Sequence, residues 1–289
     1  MGEFENDRVL TNVARRLSVV MPVYNEAATL AGIAQRVLAI AELLELIVVD
    51  DCSSDGSREI AQQLAENDSR IRTVRHAKNL GKTAALKTGL ALTTGDIVII
   101  QDADLEYDPA EIHEVIRPIV EGYADVVYGS RFLVRRAARV LYFYHYLGNK
   151  LLTFLSNTLT NLNLTDIETG YKAFRGDIIR NLVIVSSGFG FEIEVVAKVA
   201  KLKCAIYEVP ISYYGRTYAE GKKVGFSDGV IALWLILRFN IFCRLRSSFR
   251  NLPELKNRTN APRVGSADFE KTLGRSLETD SSAKDAIQP

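Results

Sequence analysis

The feature that most constrains this chain is a recurrence. Short apolar runs, LSVVM (17–21), LIVVD (46–50), IRTVR (71–75), DIVIIQD (96–102) and DVVYGS (125–130), are each separated by a segment of helix length. Continuous Val/Ile-rich runs in that rhythm predict strands buried on both faces and joined by crossover helices. The expected fold is α/β, an open, mostly parallel sheet flanked by helices. The helices carry start signals: Ser53, Ser54 and Asp55 before the first, Asn79 before GKTAALKTGLAL, and Asp108-Pro109 before AEIHEVIRPIV. In such a sheet ligands sit at the carboxyl ends of the strands, so the residues just after each run are the candidates for chemistry.

Beyond residue 132 the rhythm changes. FLVRRAARV leads into LYFYHYLGNKLLTFLSNTL, which reads as an amphipathic helix with a basic start. Helical segments at about 177–186 and 190–202, a short strand pair CAIYEV and ISYYG, a Gly/Lys loop and a final apolar helix from about 226 to 246 follow. The expected organisation is an N-terminal extension (1–16), a catalytic domain (17–225), a C-terminal amphipathic helix (226–250) and a polar tail (251–289) too poor in large apolar residues to order. The apolar stretch 230–242 falls short of the roughly 20 residues that span a bilayer, which predicts a helix lying on a membrane surface. The N-terminus lacks the apolar core of a secretory signal, and the three cysteines show no CxxC spacing. Both point to the cytosol, at the cytoplasmic face of a membrane. With 36 Lys+Arg against 35 Asp+Glu, nothing attracts nucleic acid globally, so an anionic partner must be held by a local cluster.

Common nucleotide motifs fail. No GxGxxG follows the first run, and the GKT at 81–83 has His76 where a phosphate-binding P-loop needs glycine. Acidic residues instead gather at the strand ends: Glu26, then Asp50 and Asp51, then Asp102, Asp104, Glu106 and Asp108. Alternate carboxylates in QDADLE can converge on one hard cation, Mg²⁺ or Mn²⁺; a solvated acidic loop capped by Asp108 is the plainer alternative. Arg131 ends the fifth run, followed by Arg135, Arg136 and Arg139. Guanidinium forks suit phosphate, although a solvated face would also explain Arg135 and Arg136.

Read in order, PVYNE (22–26), VVDDCSSDGS (48–57), NLGKTAALKTG (79–89), QDADLE (101–106), GSRF (129–132) and ETGYKAF (168–174) resemble the family 2 glycosyltransferases, and among them the polyprenyl-phosphate hexose synthases. The resemblance implies a GT-A fold, a nucleotide-sugar donor, Mg²⁺ or Mn²⁺, and inversion at the anomeric carbon. It places Pro22, Tyr24, Asn25, Glu26, Asp51, Lys82, Asp102, Ala103 and Asp104 on the donor. Asp102 and Asp104 would hold the metal, with Glu106 adding a third carboxylate. Arg131 would meet phosphate at the reacting centre, and Arg135, Arg139, Arg216, Lys222 and Lys223 would bind further phosphate.

The nucleophile decides what else is needed. A phosphate monoester, with second pKa near 6, is already largely dianionic at neutral pH and needs cations to hold it, not a base. A saccharide or other hydroxyl acceptor would need a base, for which Asp166 and Glu168 are the candidates. Tyr142, Phe143, Tyr144 and Tyr146 would hold a polyprenyl chain or touch the bilayer, the alternative being an ordinary core-facing helix. Trp234, with Arg238, Arg244 and Arg246, fits peripheral attachment or dimer packing, and a membrane partner protein could add anchoring. His76 and His113 read as ordinary surface or packing residues.

Overall fold

The expected strands form with small changes of boundary: β1 (Leu17–Val23), β2 (Leu43–Asp50), β3 (Ile71–Arg75), β4 (Ile97–Ile100) and β5 (Val126–Ser130). The computed structural model describes residues 16–133, 142–215 and 226–255, and this fold lies in the compact unit that ends at Glu254. Between the strands run α1 (Leu30–Leu38), α2 (Ser57–Asn67), α3 (Lys82–Leu92) and α4 (Ile112–Val120). Two later strands complete the sheet, β6 (Lys172–Arg175) and β7 (Ile206–Pro210), in the order β3-β2-β1-β4-β6-β5-β7. β1 to β4 are parallel, β6 runs antiparallel between β4 and β5, and β7 is parallel to β5.

Burial follows from position in this order. Every residue of β4 and β5 is buried, whereas β3 at the edge of the sheet exposes Arg72, Thr73 and Arg75. Successive side chains point to opposite faces, so Val19 and Met21 join the core under α1 and α4 while Val20 joins the one under α3 and α7 (Phe191–Ala200). α3 lies so close to the sheet that a Cβ at Gly89 would overlap Val20.

Three features depart from the expectation. β6 was hidden within ETGYKAF because four residues with charged ends carry no strand signature, and Lys172 is fully buried only through tertiary neighbours. ISYYG forms no strand and no pair with β7. Pro210 ends β7, after which Ser212 N and Oγ donate to Glu111 at 2.8 and 2.7 Å and Tyr214 N reaches the Glu106 carbonyl. The last helix is broken, with α8 (Phe226–Leu237) passing through a π-turn (Arg238–Phe242) and an extended Cys243 before the short α9 (Leu245–Ser248). Of the start signals, Asp108 caps as expected, accepting from Ala110 N at 3.0 Å, whereas α3 begins after Gly81 at φ 88°, not at Asn79.

Helix α5 (Phe143–Thr160) is amphipathic in the inverted sense. Its buried stripe is Asn149, Leu152, Thr153 and Ser156, while Phe143, Tyr144, Leu147, Leu151 and Phe154 are exposed. The core-facing alternative for its aromatic residues is therefore wrong. Neighbouring α8 likewise exposes Val230, Ile231, Leu233 and Trp234. Among the described residues no helix is long and apolar enough to cross a membrane. A short α6 (Gly176–Asn181) follows β6 and completes the described elements.

Candidate active site

The turns after β1 and β2 are stapled to each other. Asn25, at φ 57°, donates its amide to Ser53 Oγ (2.9 Å) and accepts from Ser54 N at Oδ1 (2.9 Å). Glu26 N donates to Ser57 Oγ at 2.8 Å and Ala27 N to Asp55 Oδ2 at 2.9 Å. This network fixes the PVYNE turn, with Pro22 half-buried and Tyr24 exposed beside it. Asp51, expected to line the donor pocket, is buried, and its oxygens accept from Leu80 N (2.9 Å), Gly81 N (2.7 Å) and the His76 ring (Nδ1, 2.6 Å). The other nitrogen of His76 meets Thr88 Oγ1 at 2.9 Å. His76 is thus a structural pivot between the turn after β2 and α3, a role its sequence context did not signal.

Asp51 thereby sets the start of α3, and the first residue of α3 is Lys82. Its ammonium lies 2.9 Å from Asp102 Oδ2 and 3.3 Å from Glu192 Oε1. Burial alone would push this lysine down, but the two carboxylates hold it well above its ordinary value. Glu192, in the first turn of α7, was not anticipated; only the fold brings it to Lys82. Ala103 is buried, its carbonyl accepting from Thr29 Oγ1 at 2.6 Å. The Asp104 carboxyl is pushed up to about 7 by burial and by the negative charges of Asp102 and Glu106.

Hard carboxylate oxygens and an acid raised by its neighbours' charge fit a divalent cation at Asp102 and Asp104. The third expected ligand differs: the Glu106 carboxylate accepts from Tyr213 OH at 2.9 Å, and among the described residues no three acidic, His or Cys side chains converge as a metal site. A cation held by the two aspartates would neutralise charge developing on a leaving diphosphate.

The second half of the site lies on the loop before β6. Arg131, immediately after β5, makes a two-pronged pair with Asp166, Nε to Oδ2 at 2.6 Å and Nη2 to Oδ1 at 2.8 Å. Burial would raise the Asp166 carboxyl, but Arg131, with Lys172 behind it, holds it below the usual range. An aspartate so engaged is not available as a general base, which removes one of the two candidates. Glu168 is the other. Burial raises its carboxyl, and it accepts from Asn149 Nδ2 at 3.1 Å. Lys172, fully buried, donates to the carbonyls of Ile167 and Thr169 and is pushed down to about 8 by burial, against the opposing pull of Glu192 and Asp166.

The two halves touch at Gly170. A Cβ there would stand 2.7 Å from Asp102 Oδ2, so any other residue would displace the Asp102 carboxylate. Gly170 N donates to Tyr107 OH at 2.9 Å, and Tyr107 stacks on Tyr171 with ring centroids 5.2 Å apart. Arg131 faces the Tyr213 ring at 5.1 Å, which ties it to the same segment that holds Glu106. Arg135, Arg136, Arg139, Arg216, Lys222 and Lys223 lie outside the described residues. The arrangement sets an acidic turn that fits a cation beside a largely buried guanidinium, groups suited to stabilising a diphosphate that leaves from carbon and to facing an anionic nucleophile.

Comparison with known proteins agrees. The sequence model of glycosyl transferase family 2 matches residues 18–183. The chain is 29% identical over 220 residues to an undecaprenyl-phosphate mannosyltransferase of Micrococcus luteus, covering 73% of this chain and 88% of that protein. It is 27% identical over 226 residues to a polyprenol monophosphomannose synthase of Mycolicibacterium smegmatis, covering 76% and 85%. In three dimensions it resembles the glucosyl-3-phosphoglycerate synthase of Mycobacterium tuberculosis, solved with Mn²⁺, UDP-glucose and phosphoglyceric acid. The TM-score is 0.60 at 22% identity, over 78% of this chain and 79% of the other, a likeness of fold.

Proposed function

The chain belongs to glycosyl transferase family 2, and on that footing we propose that it moves a hexose from a nucleoside-diphosphate sugar to a polyprenyl phosphate at a membrane surface. At the coarser level the reaction is hexose transfer to a phosphate-bearing acceptor. Asp102 and Asp104 hold the cation and donor diphosphate, with Lys82 beside them, and Arg131 steadies the incoming phosphate. Residues 17–225 carry the transfer, and the helices from 226 onward help form the membrane contact. The acceptor phosphate attacks the anomeric carbon from the face opposite the leaving diphosphate, which inverts the centre and needs no base.

The observation that carries the lipid reading is the inverted helix α5. Its aromatic and aliphatic side chains face outward while its inner stripe holds the loop that pairs with Arg131. A water-soluble acceptor gives no reason for Phe143, Tyr144, Leu151 and Phe154 to face solvent. The curated relatives named above act, by their names, on polyprenyl phosphates. A second reading, transfer to a hydroxyl of a phosphate-bearing small molecule, draws on Glu168. Its carboxyl is raised by burial, as suits a base working near neutral pH. The phosphoglyceric acid in the solved synthase points the same way.

A transfer assay separates the two. Purified protein is given Mn²⁺, labelled GDP-mannose or UDP-glucose, and either a short polyprenyl phosphate or phosphoglyceric acid. Label should enter the organic phase with the lipid and be lost on chelation. Label appearing only in phosphoglycerate, and abolished by E168Q, would overturn the lipid reading.

A further inference from the structure

Helix α5 serves two surfaces. Outward it presents the apolar face described above; inward, a row of polar side chains grips residues 164–168 one after another. Asn157 Nδ2 donates to Leu164 O at 2.7 Å and its Oδ1 accepts from Leu164 N at 3.2 Å. Lys150 Nζ reaches Thr165 O at 3.3 Å. Asn149 closes the row, its amide nitrogen donating to Asp166 Oδ1 (3.3 Å) and to Glu168 Oε2 (3.1 Å). Its own Oδ1 accepts from Thr153 Oγ1 at 3.2 Å, so both ends of the amide are engaged.

The chemistry of this position is narrow. Asp166 and Glu168 are negative neighbours in a buried setting, and Asn149, only 6% exposed, supplies two N–H groups without adding charge. An aspartate here would set a third carboxylate against the other two, and an aliphatic residue would leave both short of a donor. We propose that Asn149 is a positioning residue for the acceptor phosphate. It joins Asp166, and through it the Arg131 guanidinium, to the helix whose outer face takes the apolar part of the acceptor. Seating the lipid and aligning Arg131 are then one event. This inference rests on the lipid-phosphate reading above.

The test measures equilibrium binding of a short polyprenyl phosphate and, separately, of UDP or GDP with Mn²⁺, to wild type, N149S, N149A and N149D, with a thermal melt of each. Acceptor affinity should fall about tenfold in N149A, less in N149S and further in N149D, the scale of a hydrogen bond to a charged partner. Nucleotide affinity should stay unchanged. In an E168Q background the cost of N149A should shrink, because one of the two partners no longer needs the amide. Equal losses for nucleotide and acceptor, or the same cost in both backgrounds, would overturn the proposal. If the wild-type enzyme itself binds no polyprenyl phosphate, the lipid reading fails, and this inference with it.

Discussion

The two halves of the site are built on different principles. On the proposed donor side, between β1 and β4, side chains that meet come from the ends of neighbouring parallel strands. They are held by local hydrogen bonds: Asp51 accepts from the amides of Leu80 and Gly81, and the amides of Asn25 and Glu26 donate to the hydroxyls of Ser53 and Ser57. On the proposed acceptor side the sheet turns antiparallel at β6, and charge is balanced between segments far apart in sequence, Arg131 with Asp166. The first half is a scaffold whose carboxylates are left crowded for a cation. In the second half the charged groups are themselves the scaffold. The difference implies that an acidic residue lost from the donor turn costs chemistry, whereas one lost from the acceptor loop costs the fold.

The largest expected effect tests the acceptor side. D166A leaves the Arg131 guanidinium largely buried without its counter-charge, which should cost about 3–5 kcal/mol of stability, read as a drop in melting temperature of about 10 °C. Replacing both residues with apolar ones of similar size, R131M/D166L, should recover most of that stability with no activity. A D166A protein that melts like the wild type would break the comparison.

Next comes the donor turn. D104A should lower kcat about 10²–10³-fold, the scale of removing one electrostatic stabiliser of a leaving group. Its melting temperature in the absence of metal should hold or rise, because the carboxylate removed is one that its neighbours crowd. A loss of stability matching that of D166A would show both halves to be built alike.

The smallest effect is a pH dependence that sharpens the account of the acceptor loop. Lys172 is pushed down to about 8 from an ordinary lysine value of 10.5, so between those values the unfolded chain binds the extra proton. Stability contributed through this group therefore rises with pH across that window, by roughly 1.4 kcal/mol per pH unit at most. Urea unfolding of wild type against K172M should show the gap shifting toward the wild type from about pH 8 to 10.5. Parallel curves would mean that the buried ammonium does not titrate there.

Legibility in the sequence followed the same division. The runs that became β1, β2, β4 and β5 announce themselves because a strand covered on both faces must be apolar throughout, and the acidic residues that follow β1, β2 and β4 fall at the strand ends by topology alone. β6 could not be read, since KAFR is strand only by virtue of its neighbours, and neither could Glu192, which is one of two glutamates on a helical segment. His76 looked ordinary because its two partners, Asp51 and Thr88, lie 25 and 12 residues away. The aromatic residues of α5 were visible, but not the direction they face: periodicity locates a stripe without saying which side the core is on.

By itself, then, the sequence determined the α/β class, the parallel half of the sheet and the acidic turn at Asp102 and Asp104, because these depend on patterns within a few consecutive residues. The tertiary structure alone decided that Asp166 is committed to Arg131, that Glu192 shares Lys82 with Asp102, and that α5 turns its polar stripe inward. Each of these is a pairing of buried charge or polar surface across the fold, and such a pairing acquires its energy only when folding removes both partners from water.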